Sequence, residues 1–261
     1  MDLGLSGKVA LVAGASDGIG AATARRLSEE GARLALVARP SARLDGVAGA
    51  LASNGGEAIA LGLDLTDKDS AAAAVEATLA RYGRLDVMVV SIGAAQGGLF
   101  WDIPDETWEA AFALKFMAMV RLLRAAAPVM CERGSGSIVV VVGNNGRQPH
   151  PRMLPGSAAN AACLAVVKGL ADELAPHGVR VNALNPGPTR TARWDRLMGG
   201  LAAASGRTPD AEEADQVARI PMRRLNEPDE VARLATLLAS DIAPSLTGDG
   251  LTCDGGATKG L

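Results

Sequence analysis

Short runs of apolar and β-branched residues alternate with longer alanine-rich segments along the whole chain. The runs that predict strands cover residues 9–13, 33–38, 58–61, 87–90, 137–142, 180–183 and 251–253. Alanine-rich, helix-favouring segments fill the intervals between them. This alternation is typical of repeated βαβ units, in which helices cover both faces of a parallel sheet. We therefore predict an α/β fold, a three-layer, doubly wound sheet of seven mostly parallel strands, in one domain over residues 1–261.

Local signals mark the starts of several helices. Thr66, with an acid three residues later at Asp69, predicts a capping box, and Pro104 and Pro228 are each followed by Asp-Glu, which suits a first helical turn. The segment 190–219 is polar, rich in alanine and glycine, and only weakly periodic. We expect it to leave the sheet and to cover the substrate-binding site.

Composition narrows the function classes. The 261 residues are 48% hydrophobic and 21% charged, with a net charge of -3. Such a chain can fill a core and is unlike disordered, collagen-like or disulfide-stapled proteins. Its basic residues are scattered, so we expect no nucleic-acid partner. Three cysteines and two histidines lie far apart and predict no metal site, and no leader or membrane-spanning run is evident, so we expect a cytoplasmic protein.

A glycine-rich turn follows the first predicted strand. It reads Gly14-Ala15-Ser16-Asp17-Gly18-Ile19-Gly20 and leads into a predicted helix over 21–30. Such a turn lets a pyrophosphate approach the backbone and lie on the helix N-terminus, where free N–H groups and the dipole favour an anion. Its position between a strand and a helix favours dinucleotide binding over the alternative, an ordinary βα turn.

These features resemble the short-chain dehydrogenase/reductase family over nearly the whole chain. The spacing of Gly14, Gly18 and Gly20 is similar to the family's cofactor turn, and Asp64-Leu65 to the pair that contacts adenine. Further motifs of the family are matched in the correct order by Gly93, Asn182, the segment 186–189 and the segment 254–256. The resemblance implies a Rossmann fold that binds a dinucleotide. The implied cofactor-binding residues are Gly14, Ser16, Asp17, Gly18, Ile19, Gly20, Arg39, Asp64, Leu65, Gly93, Asn160, Pro186, Gly187 and Thr189.

The residues after the second predicted strand bear on which dinucleotide binds. An acid there would accept hydrogen bonds from the ribose, whereas an arginine would pair with a 2′-phosphate. The chain has Ala38-Arg39, which favours NADP. Asp17 favours NAD if its carboxylate points at the ribose, and a solvated surface charge is the alternative for Arg39. We predict NADP, with NAD as the alternative.

The family's catalytic residues are missing from the matching positions. Its chemistry uses a tyrosine, a lysine one helical turn later, a serine on the preceding strand and an asparagine upstream. Alignment places Gly156 at the tyrosine position, Asn160 at the lysine, Gly143 at the serine and Lys115 at the asparagine. Tyr82 is the only tyrosine in the sequence, and it precedes the fourth predicted strand. The chain is therefore identified as an atypical member that lacks the Ser-Tyr-Lys residues.

Lysine and asparagine have exchanged places at positions 115 and 160. We hypothesise that Lys115 supplies the proton or positive charge of the site, since a desolvated lysine has a lowered pKa that suits acid catalysis. Asn160 would then hydrogen-bond the nicotinamide ribose. The alternative is that Lys115 is a helix-surface residue, solvated or paired with Glu109 or Asp172.

Other side chains complete the candidate site. His150, flanked by prolines, could donate a proton near neutral pH, although a surface position is the alternative. Asn144 follows the fifth predicted strand and could bind a substrate carbonyl. Trp101, Trp194 and Met153 are candidates for pocket walls.

The first function hypothesis is an atypical NAD(P)-dependent oxidoreductase that acts on a small carbonyl or alcohol substrate. The second is a non-redox enzyme on the same fold, such as a lyase, isomerase or dehydratase, and the third is a catalytically silent nucleotide-binding protein. The retained glycine turn weighs against the silent protein but does not separate the first two. The resemblance also implies a homodimer or homotetramer, with subunits paired through the apolar helices predicted at 106–131 and 156–175.

Overall fold

Seven parallel strands form the central sheet of the computed structural model, which describes residues 2–93 and 97–260. The strands are β1 (Val9–Ala13), β2 (Arg33–Ala38), β3 (Ala58–Gly62), β4 (Val87–Val90), β5 (Gly136–Val141), β6 (Val179–Pro186) and β7 (Gly250–Cys253). Their order is β3-β2-β1-β4-β5-β6-β7. Every neighbouring pair is parallel, so the predicted fold is confirmed with no antiparallel strand in this sheet.

Nine α-helices connect and flank the strands of the described chain. They are α1 (Gly18–Glu29), α2 (Ala42–Ser53), α3 (Ser70–Tyr82), α4 (Asp105–Ala111), α5 (Ala118–Arg133), α6 (Leu154–Leu174), α7 (Ala192–Ser205), α8 (Pro209–Ala218) and α9 (Pro228–Ala239). A π-helical segment, Phe112–Met117, joins α4 to α5. The prediction of one helix over 106–131 missed this π-helical segment, in which the turn is wider than in the α-helices on either side.

Alternate residues of each central strand enter two different cores, which explains the nearly unbroken apolar runs. Leu11 and Ala13 of β1 join the core beneath α3, α5 and α6, whereas Ala10 and Val12 join the core beneath α1, α2 and α9. A strand covered by helices on both faces cannot alternate apolar with polar residues. The sheet is thus the middle of three layers.

The predicted capping box at Thr66 is wrong. Both the backbone N–H and the hydroxyl of Thr66 donate to Oδ1 of Asp64, at 2.9 and 2.8 Å, so its side chain does not cap the helix. Helix α3 begins only at Ser70, and the side chain of Asp69 makes no capping hydrogen bond. The Asp64 carboxylate competes successfully for the short Thr66 side chain.

The other two helix starts are confirmed. Helix α4 begins directly after Pro104, and α9 begins at Pro228. In α9, the side chains of Glu227 and Glu230 form a capping box with each other's backbone N–H groups.

The segment 190–219 leaves the sheet and contains α7 and α8. Trp194 and Met198 of this segment form a small separate cluster with Ile220 and Leu225, which follow the segment. In the described chain, the helical run Leu154–His177 is long and apolar enough to cross a membrane, judged by length and composition alone. A core helix of the sheet layers passes the same test, and Cys163 and Val167 of this run are buried in the sheet core.

Candidate functional site

A cavity of about 1260 Å³ opens at the carboxyl ends of the strands. Residues that directly follow β1, β2 and β4 line it, among them Gly14, Arg39 and Ser91. The order of the strands reverses at β1, whose neighbours are β2 and β4. Ligands of open α/β sheets bind in the crevice at such a reversal. The cavity is therefore the candidate binding site of this fold.

The glycine turn forms one wall of the cavity, and two of its glycines are required by close packing. A Cβ atom on Gly14, whose φ is +84°, would lie 2.3 Å from the backbone oxygen of Ser91. A Cβ atom on Gly20 would lie 2.1 Å from the backbone oxygen of Gly14. Asp17 caps α1 by accepting from the N–H of Gly18 at 2.7 Å. The turn therefore presents its backbone, rather than side chains, at the N-terminus of a twelve-residue helix.

Most of the predicted cofactor-binding residues line the cavity. Those that do are Gly14, Ser16, Asp17, Gly18, Ile19, Arg39, Asp64, Leu65, Gly93, Asn160, Pro186, Gly187 and Thr189. Gly20 does not, because it packs beneath the turn against Gly14. Asn182 also lies outside the cavity. Its side-chain amide donates to the backbone oxygen of Leu246 and accepts from the backbone N–H of Asp249.

Two arginines and two acids lie at the end of the cavity next to β2 and β3. Arg43 Nη1 lies 3.4 Å from Asp17 Oδ2. Hydrogen bonds from the backbone N–H and hydroxyl of Thr66 hold the pKa of Asp64 below its usual value, and the charge of Arg39 adds to this effect. Sequence reasoning missed Arg43, although it lies four residues after Arg39, where the first turn of α2 returns toward the cavity.

The catalytic positions of the resemblance lie deeper in the same cavity. Gly156 and Asn160 of α6 both line it, one helical turn apart. A Cβ atom on Gly156 would meet nothing within 4 Å, so the space of a larger side chain is open there. A Cβ atom on Gly143 would lie 3.1 Å from Asn160 Nδ2. Tyr82 is remote from the cavity, because its hydroxyl donates to the backbone oxygen of Leu34 inside the sheet.

Lys115 is the buried cation of the site. It lies in the π-helical segment and is only 7% exposed. Its Nζ donates to the backbone oxygens of Ile92, at 3.0 Å, and Val141, at 2.7 Å. The pKa of Lys115 is lowered to about 8, mainly by burial; Cys163 opposes this shift, and the nearby charge of Arg193 adds to it. π-Helical turns are often found at functional sites, where they redirect a side chain.

The alternative placement of Lys115 on the helix surface is wrong. Its Nζ contacts neither Glu109 nor Asp172, and Asp172 pairs instead with Lys168 at 3.1 Å. An ammonium has three N–H donors. Two are satisfied by backbone oxygens and no third acceptor is found among the described residues, so the remaining donor is available to a molecule in the cavity.

His150 and Asn144 also line the cavity. Nδ1 of His150 accepts from the backbone N–H of Arg152 at 3.2 Å, which places the proton of the neutral ring on Nε2. Nε2 is buried and has no hydrogen-bond partner among the described residues. Burial and the charges of Arg219 and Arg152 lower the pKa of His150. Asn144 instead donates to Asp254 at 3.3 Å, so its amide is partly occupied within the protein.

Ala257 and Lys259 bring the segment after β7 into the cavity wall. The carboxylate of Asp254 accepts from the N–H groups of Gly256 and Thr258, at 3.0 and 2.7 Å. A Cβ atom on Gly187 would lie 2.7 Å from Cβ of Asp254, so the two motifs pack directly together.

Of the suggested wall residues, Trp194 and Met153 line the cavity. Trp101 does not, because it is 76% exposed on the surface.

Besides Arg43, sequence reasoning missed four further basic residues in the cavity wall. Arg193 and Arg196 lie on α7, Arg219 follows α8, and Lys259 comes from the segment after Asp254. The spacing of Arg193 and Arg196, three residues apart, was an available signal that both could face the same side of a helix. Arg193 Nη1 would lie 3.4 Å from a Cβ atom placed on Gly93, which brings its guanidinium beside Lys115.

The chain is similar to known proteins over nearly its full length. A family model described as "Enoyl-(Acyl carrier protein) reductase" matches residues 14–258. A Streptomyces virginiae protein, provisionally named as the ketoacyl reductase of a monensin polyketide synthase, is 38% identical over 251 residues, which cover 95% of this chain and 96% of that protein. The NADPH-dependent reductase BacG of Bacillus subtilis is 30% identical over 98% of this chain and 100% of its own length.

Solved structures agree with these sequence matches. The structure of an L-sorbose reductase from Gluconobacter frateurii, complexed with NADPH and L-sorbose, superimposes with a TM-score of 0.92 at 32% identity, and the match covers 100% of both chains.

Proposed function

The chain belongs to the short-chain dehydrogenase/reductase family of oxidoreductases, and from this premise we propose that it is an NADPH-dependent reductase of a small carbonyl compound. The observation that carries this proposal is a single cavity that joins a dinucleotide-type glycine turn to the buried ammonium of Lys115. The name of the Bacillus subtilis relative and the NADPH complex of the Gluconobacter frateurii structure support the choice of cofactor.

The residues present fit a dinucleotide. The close packing at Gly14 and Gly20 keeps side chains out of the turn, so that backbone N–H groups and the α1 dipole can hold a pyrophosphate. Arg39 and Arg43 would hold the 2′-phosphate of NADPH, and Asp64-Leu65 would lie against adenine. When bound, the reduced nicotinamide supplies the electron pair and hydrogen that a carbonyl carbon receives.

The protein's own contribution to this reaction is a proton held at Nζ of Lys115. With a pKa of about 8, most of the Lys115 side chains are protonated at pH 7. The backbone oxygens of Ile92 and Val141 fix the ammonium, and its third N–H donates to the carbonyl oxygen of the substrate. Asn160, whose Nδ2 lies beside Gly143, would hydrogen-bond the nicotinamide ribose.

We further propose that this active site is atypical for the family. Gly143, Gly156 and Asn160 stand at the positions of the usual serine, tyrosine and lysine, and Tyr82 lies outside the cavity. His150, with an unpartnered Nε2, is a second candidate donor. The helices α7 and α8 contribute Arg193, Trp194 and other residues to the wall, which supports a covering role for the segment 190–219.

Other expectations remain predictions. They are a single domain over the whole chain, a cytoplasmic location, and a homodimer or homotetramer. A groove of about 500 Å³ between α5 and α6, with apolar residues such as Val120 and Leu170 on its walls, is consistent with pairing of these helices.

The first test of the proposed function is cofactor binding followed by turnover. We expect titration with the protein to change the fluorescence of NADPH at micromolar concentration, and a panel of small ketones and aldehydes to yield NADPH consumption. Binding without consumption across the panel would favour the non-redox enzyme or the silent nucleotide-binding protein. If neither NADPH nor NADH binds, the reductase proposal is wrong.

The choice between cofactors is tested at Arg39. We expect Arg39→Ser to weaken NADPH binding about 10- to 100-fold, because a charge-assisted hydrogen bond to phosphate contributes about 1.5–3 kcal/mol. NADH binding should be unchanged, since NADH has no 2′-phosphate. Arg25→Ser, on the exposed face of α1, removes the same charge outside the cavity and serves as the control. Equal loss of both cofactors would contradict the assignment of Arg39.

A further inference from the structure

The charge of the cavity is opposite to that of the chain. Seven basic side chains and two carboxylates line the cavity in the described chain, whereas the whole sequence has a net charge of -3. The basic residues are Arg39, Arg43, Lys115, Arg193, Arg196, Arg219 and Lys259. The two carboxylates, Asp17 and Asp64, both lie at the end next to β2 and β3. The other end is therefore strongly basic.

Two exposed arginines of the cavity wall, Arg196 and Arg219, make no close ion pair in the described chain. Neither has a carboxylate within 4 Å or a side-chain hydrogen bond to any residue within 2–93 and 97–260. Asp215 pairs with Arg207 at 2.6 Å, which is the main cause of its lowered pKa, and the charge of Arg219 is the smallest cause. Glu213 accepts from Trp194 Nε1 at 2.7 Å.

His150 adds a neutral donor to the same wall. His150 and Arg219 line the same cavity, and burial, followed by the charge of Arg219, contributes to the lowered pKa of His150. Its Nε2 is buried and unpartnered in the described chain, and a buried donor without a partner is destabilising unless a ligand or water satisfies it. Trp194, Leu197 and Ile220 provide apolar surface around these polar groups.

The guanidinium of Arg193 lies beside Gly93 and Lys115, so its charge belongs to the part of the cavity assigned to the reacting carbonyl. The proposed phosphate subsites are the glycine turn, Arg39 and Arg43, and they do not include Arg196 or Arg219. Both of these arginines come from the segment 190–219, which follows β6 on the other side of β1 from β2 and β3.

We propose that the substrate carries an anionic oxygen group, a carboxylate or a phosphate, in addition to its carbonyl, and that Arg196 and Arg219 bind this group with Nε2 of His150 as a third donor. The proposal rests on the proposed reductase function and names the chemical class of its substrate. Guanidinium groups suit such anions, because each offers a planar array of N–H donors that matches two oxygens. The apolar walls would hold the rest of a small substrate.

The test compares matched carbonyl compounds with and without the anionic group. Phenylpyruvate is paired with phenylacetone, which has a methyl group in place of the carboxylate, and dihydroxyacetone phosphate is paired with dihydroxyacetone. Binding is measured by calorimetry on the full chain, first alone and then saturated with NADP⁺. We expect the anionic member of at least one pair to bind 10- to 100-fold more tightly than its neutral partner. The pair that shows the difference distinguishes a carboxylate from a phosphate.

The variant Arg196→Gln/Arg219→Gln should remove this difference, whereas Arg25→Gln should leave it unchanged. The proposal is overturned if no anionic probe binds better than its neutral partner, or if the double variant retains the full preference. If the double variant still prefers the anionic probe to the same extent, the anion binds at the phosphate subsites of the cofactor instead. Binding of NADP⁺ is measured in a separate titration. If NADP⁺ does not bind, the proposed reductase function is wrong, whereas the anion preference is still decided by the titrations of the protein alone.

Discussion

Replacing Lys115 with methionine should reduce the turnover number for carbonyl reduction by about 10²- to 10⁴-fold, the contribution typical of a positioned proton donor. Methionine is similar in length and fills the same buried volume, but it has no proton to give. The backbone oxygens of Ile92 and Val141 would lose their donor, so thermal unfolding and NADPH binding are measured beside turnover. We expect NADPH affinity to change little, since Lys115 is assigned to the substrate carbonyl.

The pH profile separates a proton donor from a merely structural lysine. With a pKa of about 8, the Lys115 ammonium loses its proton as the pH rises through that value. Reduction by the wild-type protein should therefore slow above about pH 8, and the residual activity of Lys115→Met should lack this decline. Lys168→Met, at an exposed pair with Asp172, removes a lysine outside the cavity and should match the wild type. Unchanged turnover in Lys115→Met would exclude Lys115 as the donor and leave His150 as the next candidate.

The sheet was predictable because its strands are buried on both faces. The predicted strand over 9–13 matches β1 in full, since its five consecutive apolar side chains enter the two cores on either face of the sheet. The least accurate strand was β6, predicted over 180–183 and observed as Val179–Pro186. Its last residues include Asn185 and Pro186, whose types disfavour strands but whose backbones pair with β7.

The part of the cavity formed by the backbone of the glycine turn was predictable, whereas the part formed by side chains of α7 and α8 was not. The glycine turn is recognisable in the sequence because glycines stand at fixed positions between a predicted strand and a predicted helix. The π-helical segment around Lys115 has no such signature in the sequence, because one extra residue in a turn does not alter composition. The basic wall formed by Arg196 and Arg219 depends on how α7 and α8 fold back over the sheet. A weakly periodic segment does not reveal which of its faces points inward.

The role of Gly20 illustrates how a motif residue can act without touching the ligand. It matches the last glycine of the turn, yet it lies outside the cavity, beneath Gly14. Its absent side chain lets α1 approach β1 closely enough for the turn to expose its backbone N–H groups. The last glycine of the motif is therefore required for the packing of α1 against β1, and not for contact with the ligand.

Gly20→Ala should therefore disrupt both the stability of the fold and the binding of NADPH. The new methyl group would lie 2.1 Å from the backbone oxygen of Gly14, and a backbone atom cannot move aside without displacing the turn. Overpacking of this kind costs about 1–3 kcal/mol, and each kcal/mol lowers the Tm of a domain of this size by about 2–4 °C. Each charge-assisted hydrogen bond to the pyrophosphate that is lost should weaken NADPH binding at least about tenfold.

The matched control for Gly20→Ala is Gly49→Ala in α2, where a Cβ atom would meet nothing within 4 Å. There the change should raise the free energy of unfolding by about 0.5–1 kcal/mol, because alanine loses less conformational entropy than glycine in a helix. Thermal unfolding should show a lowered Tm for Gly20→Ala and a raised Tm for Gly49→Ala. NADPH fluorescence titration should show a loss of binding in Gly20→Ala alone. If Gly20→Ala bound NADPH like the wild type, the close packing of α1 against the turn would not be what prepares the phosphate site.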